Sequence, residues 1–203
     1  MKICILQPTY RLIPTESYQC MINLLYRSFQ KGDLIQYAIA DSIKIDHVRN
    51  YLTQKFLEVD AEFDYIMWID SDQVFNPEQV YMLIEKMEKN NLDIISGKYY
   101  KRRARVTETC AFEEIGDEYL AVIPESKGLQ EVDAVGFGFV LMRPDVLKKM
   151  QATYGQRQFE FQYLEEGIDF LGEDMTWCRR AKNIGYKIWL DNDCVIGHWG
   201  ATI

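Results

Sequence analysis

The sequence predicts an α/β protein: a mostly parallel central sheet flanked by helices, with a small antiparallel extension in the second half. Three observations carry this expectation. Strand-length apolar runs alternate with helix-period patterns through residues 1–97, as in parallel strands joined by right-handed crossovers. The run YIMWI, residues 65–69, is apolar on both faces, as befits a strand covered by helices on each side. After residue 98 the pattern shortens into alternating stretches that make no further strand–helix unit.

Taken in order, Ile3 to Leu6 reads as a short buried strand, ended by QPTYR. A helix follows from Glu16, with Tyr18, Met21, Ile22, Leu25 and Phe29 as its apolar face and Gly32 after it. Leu34 to Ala40 is the second strand, broken by Asp41-Ser42, and a second helix carries Ile45, Val48, Leu52, Phe56 and Val59. Beyond the Tyr65–Ile69 strand, Pro77 suits the first turn of a helix that buries Val80, Leu83, Ile84 and Met87. Leu92 to Ser96 is the fourth strand. The basic, aromatic KYYKRRARVTETC and the acidic AFEEIGDEYLAVIPE then suggest the antiparallel extension. VDAVGFGFVLM is a strand entering a helix at Pro144, and a loop rich in Phe, Tyr, Gln and Glu covers 155–169. GEDMTWCRRAKNIGYKIWLDND reads as helix, stop at Gly185, strand. No Pro/Gly/Ser-rich linker interrupts the chain, so residues 1–203 are expected to form one domain.

The 48% apolar and 27% charged residues are the balance of a folded chain with material for a core. A net charge of -8 argues against binding the backbone of a nucleic acid, so none is expected as a partner. The five cysteines are odd in number and none shows CxxC spacing, which reads as reduced thiols in a cytosol-like, cytoplasmic compartment. The apolar run of MKICILQPTY stops at Pro8, too soon for a signal peptide. No stretch approaches 18 apolar residues, so no integral membrane segment is expected.

Two carboxylates, Asp70 and Asp72, follow the YIMWI strand directly. Ligands of open α/β sheets sit beyond the carboxyl ends of strands. In extended geometry residues i and i+2 share a side, so both acids would face one site, and their repulsion is relieved by a hard divalent cation, Mn2+ or Mg2+. The plain alternative is a turn whose Asp and Ser accept backbone hydrogen bonds. Glu173-Asp174 opens the last helix, where free N–H groups favour acids in any case. His198, in GHWG, is one of two histidines; the other, His47, lies among charges on a helix. The basic run Lys98, Lys101, Arg102, Arg103 and Arg105 begins past the fourth strand, either as a solvated surface or as a cationic patch, with Tyr99 and Tyr100 inside it. Tyr154, Phe159, Phe161 and Tyr163 form an aromatic group that reads as a satellite of the core unless it lines a site; Trp177 and Trp189 read as core.

Together these segments resemble a GT-A fold glycosyltransferase, most similar to the broad glycosyltransferase family 2 group. The resemblance implies a nucleotide-binding half, 1–97, and an acceptor-binding half, 98–203. It implies that Pro8, Thr9, Tyr10 and Arg11 lie along the nucleotide, with Asp41, Arg49, Asp70 and Ser71 also on the donor. WIDSD is the family's DxD, with Asp72 as direct metal ligand, Asp70 nearer the ribose or metal, and His198 as a late metal-ligating histidine. VGFGFVLM resembles the glycine-bearing acceptor loop, Gly136 and Gly138, and FLGEDMTWC the helix whose second acid, Asp174, is the usual general base of inverting members; Glu173, Tyr99 and Lys98 fall to the acceptor side. The first loop, QPTYRLIPTESYQ, departs from the pattern by its length and second proline. The chain ends five residues after His198, so a compact acceptor site, or one completed by another subunit of a homo-oligomer, is expected.

The implied reaction is transfer of a sugar from a nucleotide-sugar, UDP being the commonest donor in this fold, to a hydroxyl of a glycan or other acceptor. Inversion is the expected course, although retaining enzymes share the fold. The resemblance would make the basic run a cationic patch near the diphosphate or an acidic acceptor glycan, with Tyr99 and Tyr100 available to stack on a sugar, and Tyr154, Phe159, Phe161 and Tyr163 an acceptor wall. A nucleotidyltransferase is the first alternative, disfavoured because residues 7–16 contain no glycine and a single arginine to cradle a triphosphate. The second is an inactive carbohydrate- or protein-binding module of the same fold.

Overall fold

The computed structural model describes residues 1–59, 61–102, 108–116, 118–163 and 170–200. Arg103 and Arg105 of the basic run, and 164–169 of the aromatic loop, lie outside the described residues.

The first half runs β1 (Lys2–Thr9), α1 (Thr15–Lys31), β2 (Leu34–Asp41), α2 (Ile45–Glu58), β3 (Tyr65–Ile69), β4 (Gln73–Val74), α3 (Pro77–Asn90) and β5 (Ile94–Lys98). The second runs β6 (Ala111–Ile115), β7 (Glu118–Ala121), β8 (Leu129–Val132), β9 (Ala134–Val135), β10 (Phe139–Met142), α4 (Pro144–Tyr154), β11 (Gln162–Tyr163), β12 (Phe170–Leu171), α5 (Glu173–Asn183), β13 (Ile188–Val195) and β14 (Gly197–His198).

Seven strands form the main sheet in the order β2-β1-β3-β10-β5-β13-β8. The β1–β2, β1–β3 and β5–β13 pairs are parallel, whereas β10 is antiparallel to both β3 and β5, and β8 to β13. Five strands therefore run one way and β10 and β8 the other, the mostly parallel sheet that the repeats of the first half predict. The expected antiparallel extension is the sheet β7-β6-β9. The carboxyl ends of β1, β2, β3 and β5 and the start of β10 share one edge of the main sheet, and the loops leaving that edge build the site.

Helices cover both faces. α1 and α3 pack through Met21, Leu24, Val80 and Leu83 onto Ile3, Ile5 and Met67. α2, α4 and α5 pack through Leu52, Leu147 and Trp177 onto Leu6, Trp68 and Val140. Because it is covered twice, β3 is buried at all five residues. α3 starts at Pro77 as expected, and a cap completes the turn: Asn76 accepts from the Glu78 N–H, and the Gln79 side chain returns to the Asn76 N–H.

The apolar face expected for α1 is not the buried one. The helix buries Ser17, Cys20, Met21, Leu24 and Ser28 and leaves Tyr18, Ile22 and Phe29 exposed. Only Met21 of the expected set is buried, because small residues let α1 approach the sheet and α3 closely. The fourth strand begins at Ile94 and reaches Lys98, two residues later than expected at each end. Trp177 is core and Trp189 only partly so, while the aromatic group 154–163 divides: Phe159 is wholly buried against Trp68, Phe137 and Trp177, and Phe161 and Tyr163 are exposed beside Phe170.

Candidate functional site

A cleft of about 620 Å3 opens at that edge of the sheet. Asp70 leaves β3 with its N–H donated to the Gly138 carbonyl (2.9 Å), and its own carbonyl accepts the Gln73 N–H (3.2 Å). The segment Asp70–Gln73 is thus a turn, not the extended strand expected. Both carboxylates still line the cleft, but they reach different partners.

Asp70 faces Arg49 of α2, whose Nη2 lies 3.0 Å from Oδ1 and 3.1 Å from Oδ2. The same guanidinium reaches Glu173 at the start of α5, Nε to Oε1 3.3 Å. Arg49 is 3% exposed and packed among the rings of Trp68, Phe137 and Phe159, so its charge is held between two carboxylates and an aromatic floor. Burial pushes the Asp70 carboxyl up to about 6, against the pull of Arg49 and with the push of Asp72. Arg49, expected on the donor, lines the cleft as part of its floor and links the two acid-bearing loops.

Asp72 turns the other way. Its Oδ2 lies 3.4 Å from His198 Nε2 and 3.2 Å from Arg102 Nη2. Burial raises its pKa, but the His198 hydrogen bond and the charges of His198 and Arg102 outweigh that, and the carboxyl sits below its ordinary value. His198 is delivered by β14, which pairs antiparallel with β4 so that His198 stands opposite Gln73. The His198 Nδ1 donates to the Tyr100 carbonyl (2.8 Å), which turns Nε2 to Asp72 and, in the neutral ring, leaves its lone pair free. The Tyr99 ring meets the imidazole edge-on at 5.6 Å.

Tyr99 is 5% exposed, and its hydroxyl accepts the Gly138 N–H (2.9 Å). It braces the loop and the histidine, and is not free to stack on a sugar as the sequence reading offered. That bracing explains both glycines. A Cβ on Gly138 would lie 2.7 Å from the Tyr99 ring and the Gln73 amide, and one on Gly136 would strike the Tyr99 hydroxyl. Gly136 lines the cleft and Gly138 sits behind it. Lys98 is buried at the end of β5, outside the cleft lining, with its carbonyl accepting from Ile196 N–H.

Asp174 stands in the first turn of α5 on the cleft wall, its Oδ1 accepting the Met175 N–H (2.9 Å). Gly172 makes room for it: a Cβ there would lie 2.8 Å from Oδ1. Burial first, and the adjacent Glu173 charge second, lift its pKa to about 7 despite Arg49. A carboxylate in this state is half protonated at neutral pH and suited to exchange a proton.

Pro8, Thr9, Tyr10 and Ser71 line the same cleft. Arg11 and Asp41 do not: Asp41 accepts the Arg11 N–H (2.7 Å), which holds Arg11 in a left-handed conformation (φ 61°), and Asp41 lines an adjoining hollow with Ser42, His47 and Tyr51. The sequence reading missed Ser42, Ile43, Ile45, Gln73, Cys110, Phe112 and Phe137, which also line the cleft. Only Phe137, between the two glycines of GFG, had a local signal.

Among the described residues no three His, Cys, Asp or Glu side chains converge as a set that could hold a metal alone. The pair Asp72–His198 fits a divalent cation that takes its remaining ligands from a bound diphosphate and water: one hard carboxylate, and one imidazole nitrogen aimed by a backbone carbonyl.

The profile of Glycosyl transferase family 2 matches residues 56–150. No curated protein matches the sequence. The crystal structure of A197 from STIV superposes with a TM-score of 0.60 at 16% identity, covering 100% of this chain and 96% of that one. S. aureus TarS 1-349 in complex with UDP-GlcNAc gives a TM-score of 0.55 at 12% identity, covering 100% of this chain and 59% of that one. TarS 1-349 without it gives 0.50 at 14%, covering 99% and 60%. The chain thus spans about three fifths of TarS 1-349, and at such identities the likeness is one of fold.

Proposed function

We propose that this GT-A fold glycosyltransferase, similar to the family 2 group over residues 56–150, moves a sugar from a UDP-sugar to an acceptor hydroxyl with inversion. One observation carries the reading: a single cleft holds Asp72 paired with an oriented His198, and on its wall Asp174 with a pKa raised to about 7. The first pair suits the departing diphosphate and the second suits a proton acceptor.

A divalent cation held by Asp72 and His198 would neutralise charge that develops on the diphosphate. Pro8, Thr9 and Tyr10 offer the nucleotide a wall beside it, with Ser42 and Asp41 at its outer end. Asp174 accepts the acceptor hydroxyl proton while the acceptor oxygen forms its bond to C1 and the bond from C1 to the diphosphate oxygen breaks, so nucleoside diphosphate leaves. Glu173, tied to Arg49, holds α5 and with it Asp174 against the Asp70 turn. The protein need not alter its own covalent bonds; it positions, excludes water and takes one proton.

The test is calorimetric titration with UDP, GDP, CDP and dTDP, with and without Mn2+, on the wild type and Asp72→Ala. Metal-dependent binding of one nucleotide that the variant loses is the expected result. No binding of any nucleotide under either condition overturns the reading. Product analysis separates the alternative chemistry, nucleoside diphosphate for sugar transfer against pyrophosphate for nucleotidyl transfer.

A further inference from the structure

The outer flank of α1 and the open edge of β2 form a surface that the cleft does not use. On α1, Tyr18 is 57% exposed, Ile22 41% and Phe29 80%. These positions lie on one flank at helical spacing. The opposite flank faces α3, through the Arg27–Glu78 ion pair and Lys31 over the Tyr81 ring. Among the described residues β2 is an edge strand, paired with β1 alone. Ile35 packs on the α1 side of the sheet, so Tyr37 and Ile39 point to that side too, and they are 36% and 46% exposed.

The edge itself is unguarded. LIQYAIAD pairs with β1 in unbroken register over eight residues and contains no proline, lysine or bulge, the devices that ordinarily protect an edge from pairing. Its outer N–H and C=O groups offer a ladder to another strand.

We propose that a second copy of this chain pairs here, β2 antiparallel to β2 about a twofold axis normal to the sheet. That operation keeps the same face up in both copies and lays the two α1 helices antiparallel over the seam, with Tyr18, Ile22 and Phe29 of each copy toward the other. A stable specific interface needs on the order of 600 Å2 per copy, about 1,200 Å2 in all, and the exposed parts of the five named side chains with the adjoining strand are what this surface brings to it. A membrane surface fits less well. The cations of α1 that would be needed beside the apolar stripe are turned to α3, the net charge is -8, and lipid offers no ladder to the strand.

Light scattering on the eluting protein at micromolar concentration is expected to give twice the mass of one chain. Phe29→Glu and, separately, Ile39→Lys are both exposed in one copy, so each is expected to keep the fold by circular dichroism and to weaken the dimer at least about tenfold. A wild type that stays at the mass of one chain overturns the proposal, as does a dimer that survives both substitutions. Flotation of a monomeric wild type with phosphatidylcholine–phosphatidylglycerol vesicles, lost in Phe29→Glu, overturns it in favour of a membrane face. Nucleotide binding enters none of these readouts, so they stand or fall apart from the catalytic reading.

Discussion

Asp174 is a carboxylate whose surroundings give it the titration of a histidine. The kcat/KM of sugar transfer is expected to rise with pH and level off above an apparent pKa of about 7, because the deprotonated form takes the proton. Asp174→Asn should lower turnover by about 10²–10⁴ while calorimetry still finds metal-dependent nucleotide binding. The same group bears on stability with a definite sign. Its pKa is raised on folding, so the stability it contributes is fully present below its ordinary value of 3.8 and is lost as pH rises to about 7. Asp174→Asn should therefore melt above the wild type at pH 8 and level with it at pH 4. The gain is on the order of 1–4 kcal/mol, the upper figure being the whole shift and the lower allowing for the side chain's opening onto the cleft. Arg49 is the contrary case: Arg49→Ala leaves Asp70 and Glu173 facing each other without their cation, at a cost of about 3–5 kcal/mol in denaturant unfolding. At this scale the acids were readable, since their types and spacing announce themselves. The partner of each was not, because Arg49 sits 21 residues from Asp70 and 124 from Glu173, and only the fold brings them together.

Among the elements, the loop from Gly136 to Gly138 is held from both sides, by the Asp70 N–H on its carbonyl and by the Tyr99 hydroxyl on its N–H. Gly138→Ala forces a Cβ into the Tyr99 ring and should cost about 1–3 kcal/mol. Because Tyr99 also abuts His198, the variant should bind the nucleotide–Mn2+ complex more weakly in calorimetry. α3 was legible from its proline and its stripe, both of which agree with the structure, while the Asn76 cap was not read. α1 was legible as a helix and misread as a surface: its sequence has an apolar flank, Tyr18, Ile22 and Phe29, beside a buried face built partly of Ser17, Cys20 and Ser28. Hydrophobic periodicity reports a helix but does not say which of two neighbouring flanks meets the sheet when small residues pack closest. For the Asp70–Asp72 segment, alternation implied a shared strand face, whereas the turn closed at Gln73 delivers the two acids to one cleft by a different geometry.

At the scale of the whole molecule the two halves of the chain share one sheet. β10 lies between β3 and β5, and β13 beyond β5, so a fragment of residues 1–97 lacks the strand that joins its own third and fourth strands. Such a fragment should show no cooperative thermal transition, and a sharp one would mean that the first half is a domain in itself. Sequence repeats revealed the parallel units but not this insertion, because nothing local in VGFGFVLM tells a strand that it will enter the sheet reversed. The position of β10 also bears on how the protein is made. The Asp70 N–H finds its partner at Gly138, so an emerging chain must be synthesised as far as that residue before the turn can take its final form. Contacts so far apart in sequence slow folding and leave β3 and β5 with open edges in the meantime. Until then the turn that carries Asp70 and Asp72 is translated but waits beside an unfilled gap between β3 and β5.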